Sequence, residues 1–260
     1  MSLVFQLLAS GSKGNSILVC SATTRILLDA GLSGKELARR LGGSPVEAKE
    51  LDALIVSHEH QDHVRGLGIM SRRYDLPVYL SRGTLEGLPP ETGRLAHTQL
   101  FQPGGSFSIG DIRIQPFAVP HDAQEPSGFV FECEGVRLGI CTDLGTATNL
   151  VRTRLQGCQG LIVEANHDTE RLLNGPYPPQ LKQRIRSRHG HLSNSDTYEL
   201  LKGLLHGSLQ SVVFAHLSEV NNTPELVADT FDPLKHDSAW AGVCFEIGKQ
   251  SEPTRTIELI

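Results

Sequence analysis

The sequence predicts an α/β protein built as a four-layer αββα sandwich, two β-sheets packed face to face with helices on both outer sides. Three observations predict it. Apolar runs rich in Val, Ile and Phe, bounded by Gly, Ser or Asn, recur along the 260 residues as buried strands do. Segments with helical spacing fall between them. The order β-rich, helix, β-rich, helix occurs twice, the second half beginning near residue 110. Each half then supplies one sheet that must be covered on both faces. No linker, repeat or low-complexity tract divides residues 1–260, so the chain reads as a single domain with a sizeable core.

Taken in order, strands are expected over about 3–9, 16–20, 25–29, 53–57, 77–80, 112–119, 128–133, 136–142, 160–164, 211–215 and 254–259. Helices are expected over about 33–42, 64–75, 146–156, 179–188, 194–206 and 223–231. The clearest helix starts are Asn194-Ser195-Asp196 and Asn222-Thr223-Pro224-Glu225, where polar caps precede a helical run. After His216 a short helix and one strand are expected.

The net charge of -5 carries no global signature of polyanion binding. Five scattered cysteines (Cys20, Cys133, Cys141, Cys158, Cys244) without a CxxC pair suit free thiols in a reducing cytoplasm. The N-terminus lacks the basic start and apolar stretch of a signal peptide, and no run approaches the ~20 apolar residues of a membrane span. A cytoplasmic protein without a membrane partner is expected.

The densest chemistry is Ser57-His58-Glu59-His60-Gln61-Asp62-His63, directly after Leu54-Ile55-Val56. A chain turning there aims His58, His60, Asp62 and His63 into one small volume. Gathering such groups beside a core is costly unless they are paired. A divalent cation removes that cost, because neutral imidazole and ionised carboxylate are ligands for zinc, manganese and iron alike. Four ligands in one loop exceed what one tetrahedral ion with an open position takes, which suggests two ions. Further candidates end apolar runs elsewhere: Asp29, His121, Asp143 and His216. In layered α/β proteins, sites form where the carboxyl ends of strands meet.

His-x-His-x-Asp-His followed by separate His, Asp and His residues at later strand ends resembles the metallo-β-lactamase superfamily. The resemblance implies that His58, His60 and His121 hold one metal, that Asp62, His63 and His216 hold a second, and that Asp143 bridges them. It gives Asp29 the role of a carboxylate fixing a ligand imidazole. Two such cations share a water and lower its pKa toward neutrality, which makes hydrolysis the default reaction.

Three features lean toward a phosphodiester substrate. Ser10-Gly11-Ser12-Lys13-Gly14-Asn15-Ser16 is a glycine-punctuated turn whose N–H groups, Lys13 and Asn15 could approach a phosphate, although an ordinary hairpin turn has the same composition. Lys182, Arg184, Arg186 and Arg188 form a local positive track, or else a solvated helix face. The segments Glu164-Ala165-Asn166-His167-Asp168 and Gly190-His191-Leu192-Ser193-Asn194 resemble paired motifs of the tRNA-maturing nucleases. In that comparison Glu164 matches the motif's Glu and Val163 stands where those enzymes carry His. His191 is then the expected leaving-group acid, with His167 second.

Taken together, SGSKGNS, TDLG at 142–145, EANHD at 164–168, GHLSN at 190–194 and HLSEVNN at 216–222 resemble the YycJ/WalJ family of bacterial metallo-hydrolases. The resemblance implies a 5′→3′ exonuclease acting on DNA, with a role in DNA repair. Two other readings share the motifs: a small-molecule hydrolase (a cyclic phosphodiesterase or thioesterase), and a nucleic-acid-binding protein that does not cleave. The sequence specifies no oligomeric state. His97, His206 and His236 are expected at the surface or in packing, Phe129, Phe131 and Trp240 in the core, and Asn221 and Asn222 at a helix entry. Strand alternation points Cys141 to the same face as Asp143, where it could tune the second metal, although a buried apolar role is the preferred reading.

Overall fold

The computed structural model describes residues 2–260. Its first half comprises β1 (Leu3–Ala9), β2 (Ser16–Cys20), β3 (Arg25–Leu28), α1 (Gly34–Leu41), β4 (Ala53–Ile55), α2 (Gln61–Val64), α3 (Leu67–Tyr74), β5 (Pro77–Ser81), α4 (Arg82–Gly87) and β6 (His97–Phe101). The second half continues with β7 (Phe107–Ile109), β8 (Ile112–Ala118), β9 (Ser127–Cys133), β10 (Val136–Cys141), α5 (Asn149–Leu155) and β11 (Gly160–Glu164). It closes with α6 (Thr169–Asn174), α7 (Pro179–Ile185), α8 (Asn194–Lys202), β12 (Ser211–Ala215), α9 (Pro224–His236), β13 (Cys244–Ile247) and β14 (Ile257–Leu259).

Two seven-stranded sheets result, ordered β14-β1-β2-β3-β4-β5-β6 and β13-β12-β11-β10-β9-β8-β7. The strands β3 to β6 run parallel, as do β10 to β13. Parallel neighbours need long crossovers, which the helices supply. The last strand returns to the first sheet, placing Leu259 opposite Leu3.

Both faces of each sheet are covered, which explains why these strands are apolar without alternation. Phe5, Ile26, Ile55, Ile114, Phe129, Ile140 and Val213 pack between the sheets. On the outer side of the first sheet, Leu27 and Leu54 meet Leu37 and Met70 from α1 and α3. Beyond the second sheet, Val163 and Phe214 meet Leu155, Leu200 and Phe231 from α5, α8 and α9. This is the αββα sandwich, and Phe129, Phe131 and Trp240 are buried in it. Among the described residues no helix is long and apolar enough to cross a membrane.

Several expectations are corrected. Strands β6, β7 and β13 carry no apolar run. His97 to Leu100 of β6 are all exposed, so the strand exists through its pairing with β5. Helices α4 and α6 are six residues each, too short to show a period. The helix expected over 64–75 is divided at Gly66, where a Cβ would lie 2.3 Å from the Leu32 carbonyl oxygen. The helix expected over 179–188 stops at Ile185. After His216 come a thirteen-residue helix and two strands. The caps are Ser193 and Thr223, one residue from the expected positions in the first case and at the last residue of the Asn-Asn-Thr run in the second. Asn222 instead donates to the Ala165 carbonyl at 2.8 Å and to Asn194. Cys141 packs in the apolar layer beneath the helices, because the strand ends there and the chain turns before Asp143.

Gly31 shows how tightly the first sheet's edge is built. A Cβ there would lie 1.7 Å from the Asp62 carbonyl oxygen and 2.6 Å from the Asn15 backbone nitrogen. Gly31→Ala should therefore destabilise by about 3 kcal/mol or more through overpacking. Gly207→Ala, with nothing within 4 Å, should be near neutral. Denaturant unfolding of the two variants checks this; equal midpoints would contradict the packing account.

Candidate metal centre

The site lies where carboxyl ends of both sheets face each other. Asp29 follows β3, Ser57–His63 follows β4, His121 follows β8, Asp143 follows β10, Glu164 ends β11 and His216 follows β12. Asp29, Asp143 and His216 adopt left-handed backbone, with φ of 61°, 56° and 55°. Such a conformation costs a non-glycine residue about 1–2 kcal/mol, so something must hold it. Ser10 Oγ accepts the His216 N–H at 2.7 Å, and the Asp29 N–H bonds the Ile55 carbonyl at 2.8 Å. The Ser10–Asn15 turn thereby braces the edge of the opposite sheet.

Two clusters of donor atoms converge there. His58 Nε2 lies 3.1 Å from His60 Nδ1, which is 3.3 Å from His121 Nε2. Asp62 Oδ2 lies 3.3 Å from His216 Nε2 and 3.6 Å from His63 Nε2. Asp143 stands between them, its Oδ2 3.4 Å from His63 Nε2 and its Oδ1 4.0 Å from His121 Nε2. The groups His58/His60/His121, Asp62/His63/His216 and His58/His63/Asp143 could each hold an ion.

The donor set fits a divalent cation. Asp143 Oδ2 is buried without a hydrogen-bond partner, an arrangement that costs free energy unless a cation completes it. Imidazole nitrogens facing one another at 3.1–3.3 Å share too few protons for every lone pair to be satisfied. Imidazole and carboxylate together are the ligands that zinc, manganese and iron accept.

Buried partners orient these ligands from behind. Asp29 Oδ2 lies 2.8 Å from His63 Nδ1, and the Asp29 carboxylate also accepts from the Ser57 N–H and hydroxyl, each at 2.8 Å. Glu164 Oε1 lies 2.8 Å from Nδ1 of both His191 and His216. The other Glu164 oxygen accepts from the backbone N–H of Leu192 and Leu144. Glu164 is thus a positioning residue shared by two imidazoles. Its engagement of both Nδ1 atoms turns Nε2 of each ring away from it, that of His216 toward Asp62.

Charge follows the geometry. Burial opposes protonation of His63, but Asp143, Asp29 and Asp62 outweigh it and raise the ring to about 9. His216 is likewise raised well above its ordinary value against burial, chiefly by Asp143 and the bonds to Asp62 and Glu164. Burial also opposes His191, and the Glu164 carboxylate raises it. His58 is pushed well down by burial and by the neighbouring His63, and burial lowers His121. Burial works against ionisation of Asp62, Asp143 and Glu164, yet the surrounding imidazoles hold all three low.

The remaining expected residues are placed differently. Asn15 is buried, and its amide faces Asp62 Oδ2 at 3.3 Å and His63 Nε2 at 3.1 Å, so it braces the ligand loop and offers no free donor to a substrate. Lys13 is exposed and paired with Glu219 at 2.5 Å. His167 is buried, and burial lowers its ring to about 4, which favours the neutral form. Arg184, Arg186 and Arg188 are exposed, and Arg184 Nε is 2.6 Å from Asp122 Oδ2. Ser57, Glu59, Asp122 and Asn166 were not singled out by sequence. Glu59 accepts the Gln124 N–H at 2.7 Å, and Asn166 donates to the His216 carbonyl at 2.9 Å. Their partners are distant in sequence, and no local signal marks them.

A family model described as the beta-lactamase superfamily domain matches residues 24–216. The chain belongs to the metallo-β-lactamase superfamily. It has the superfamily's hydrolase fold, which implies divalent metal ions. Among characterised relatives, the exodeoxyribonuclease YycJ of Bacillus anthracis is 34% identical over 250 residues, covering 95% of each chain. The exodeoxyribonuclease WalJ of Streptococcus pneumoniae serotype 2 is 34% identical over 257 residues, covering 97% of this chain and 96% of its own. The metallo-β-lactamase fold protein YhfI from Bacillus subtilis superposes with a TM-score of 0.74 at 18% identity, over 99% of this chain and 100% of the other.

The raised His63 and His216 imply that loading metal into the metal-free protein at pH 7.5 displaces protons. Because a raised pKa keeps the proton bound until pH passes about 9, apparent metal affinity should climb between pH 7 and 9. Calorimetric titration with zinc in two buffers of different ionisation enthalpy checks this. Heats independent of the buffer would contradict it.

Proposed function

We propose that the chain is a dinuclear metal-dependent hydrolase of phosphodiesters, acting as a 5′→3′ exonuclease on DNA in the cytoplasm. His58, His60 and His121 would hold one ion, Asp62, His63 and His216 the other, with Asp143 placed between the two sets. The ions are zinc or manganese, with iron the third candidate. When bound, the pair would lower the pKa of a water and polarise a phosphoryl oxygen.

The observation that carries this reading is His191. Its Nδ1 is fixed on Glu164, its basicity is raised by that carboxylate, and its ring centroid lies 5.2 Å from those of His121 and His216. With Nδ1 on the carboxylate and its charged form favoured by it, the ring is placed to offer a proton from Nε2 beside the ligands. An alkoxide leaving from phosphorus needs that proton, whereas a thiolate leaves without one. A proton donor held there suits phosphodiester cleavage better than thioester cleavage. The exodeoxyribonuclease names of YycJ and WalJ support DNA as the substrate. Buried or half-buried free cysteines, unpaired among the described residues, accord with a reducing compartment.

One assay series tests the proposal: a 5′-labelled DNA duplex, a cyclic nucleotide and a glutathione thioester, each with manganese, with zinc and after chelation. Hydrolysis of the duplex alone, abolished by chelator, is expected. His191→Ala should slow the duplex by about 10²–10⁴-fold and leave a p-nitrophenyl phosphodiester much less affected, because p-nitrophenolate needs no proton. Preferred cleavage of the thioester, or equal losses on both phosphodiesters, would overturn the reading or the acid assignment respectively.

A further inference from the structure

Beside His191 the surface opens into a cleft of about 260 Å³. Tyr177, Leu181, Arg184, Ile185 and Gly190 line it together with His191. Leu181, Arg184 and Ile185 share one face of α7 by their i, i+3, i+4 spacing. That helix buries none of its residues completely, so its apolar face lines the cleft and not the core. Tyr177, half-buried in the turn before the helix, adds an aromatic surface.

Arg184 is held in place. Its Nε bonds Asp122 Oδ2 at 2.6 Å, and Asp122 Oδ1 lies 3.4 Å from His121 Nε2. A guanidinium so fixed keeps its two terminal nitrogens for a planar, two-point contact with a phosphate. The cleft thus has an anion contact at the end nearest the metal ligands, and aromatic and aliphatic walls beyond it. A water or a lone phosphate makes no use of such walls; a flat heterocycle attached to a phosphate does.

Resting on the phosphodiester reading above, we infer that this cleft seats the terminal nucleoside of the strand being cut, its base against Tyr177 and its phosphate on Arg184. Asp122 acts as the residue that positions Arg184. On the wall, Asn166 donates its amide to the His216 carbonyl at 2.9 Å, and Ser218 Oγ accepts the Asn221 N–H at 3.1 Å. Stacking on an aromatic ring is tolerant of sequence because every base has a π-face, so the Tyr177 contact recognises a ring and not its identity.

The test compares two 5′-labelled duplexes under metal-loaded conditions, one natural and one whose terminal base is replaced by hydrogen. The unsubstituted protein should favour the natural end about tenfold in kcat/KM, mainly through KM, with little difference among the four bases. Tyr177→Ala should bring that ratio close to one, and Tyr177→Phe should restore it. Asp122→Asn should raise KM for both duplexes while keeping the ratio. A natural-to-abasic ratio near one in the unsubstituted protein, or a ratio unmoved by Tyr177→Ala, overturns the cleft assignment and leaves the phosphodiesterase reading standing. Hydrolysis of neither duplex overturns that reading, and the cleft assignment falls with it.

Discussion

The structure depends on one electrostatic constraint: carboxylates and imidazoles from opposite sheets are buried together where water cannot solvate them. Asp143, Glu164, His58, His63 and His216 are all nearly inaccessible. Internal hydrogen bonds satisfy much of this cluster, through Asp29 on His63 and Glu164 on His191 and His216. The Oδ2 of Asp143 remains without a hydrogen-bond partner, 3.4 Å from His63 Nε2. A divalent cation would resolve that remainder, and the surrounding architecture gathers the donor atoms that would hold it.

The backbone bears part of the cost. Three of the five non-glycine residues with positive φ among the described residues are Asp29, Asp143 and His216; the others, Asp75 and Glu134, lie in turns elsewhere. Strain concentrated at a functional edge is stable only when neighbouring structure over-determines it. Here the Ser10–Asn15 turn, Gly31 and the Asp62 carbonyl interlock, with the Asn15 N–H bonding that carbonyl at 2.7 Å. The glycine-punctuated turn, read from sequence as a possible phosphate cradle, is built chiefly as this brace. Lys13 at its tip faces solvent and Glu219.

The sequence made the layered fold and the candidate ligands legible for a common reason. Buried parallel strands are continuous apolar runs, and a His or Asp at the end of such a run is visible in one dimension. What stayed hidden is three-dimensional. Asn15 reaches Asp62 across 47 positions and Arg184 reaches Asp122 across 62, with no local pattern to announce either pair. Edge strand β6 escaped because its exposed residues carry no apolar signature, and α6 because six residues show no period. The pairing of Arg184 in the positive track with Asp122 was hidden because that acid sits beyond β8.

The most direct measurement is anomalous diffraction from crystals loaded with zinc or manganese, with metal content determined on the same protein. The account predicts two ions per chain, one among His58, His60 and His121, the other among Asp62, His63 and His216, with Asp143 Oδ2 no longer unpartnered. No anomalous peak among these side chains in metal-loaded protein, or a single ion bound outside them, would contradict it.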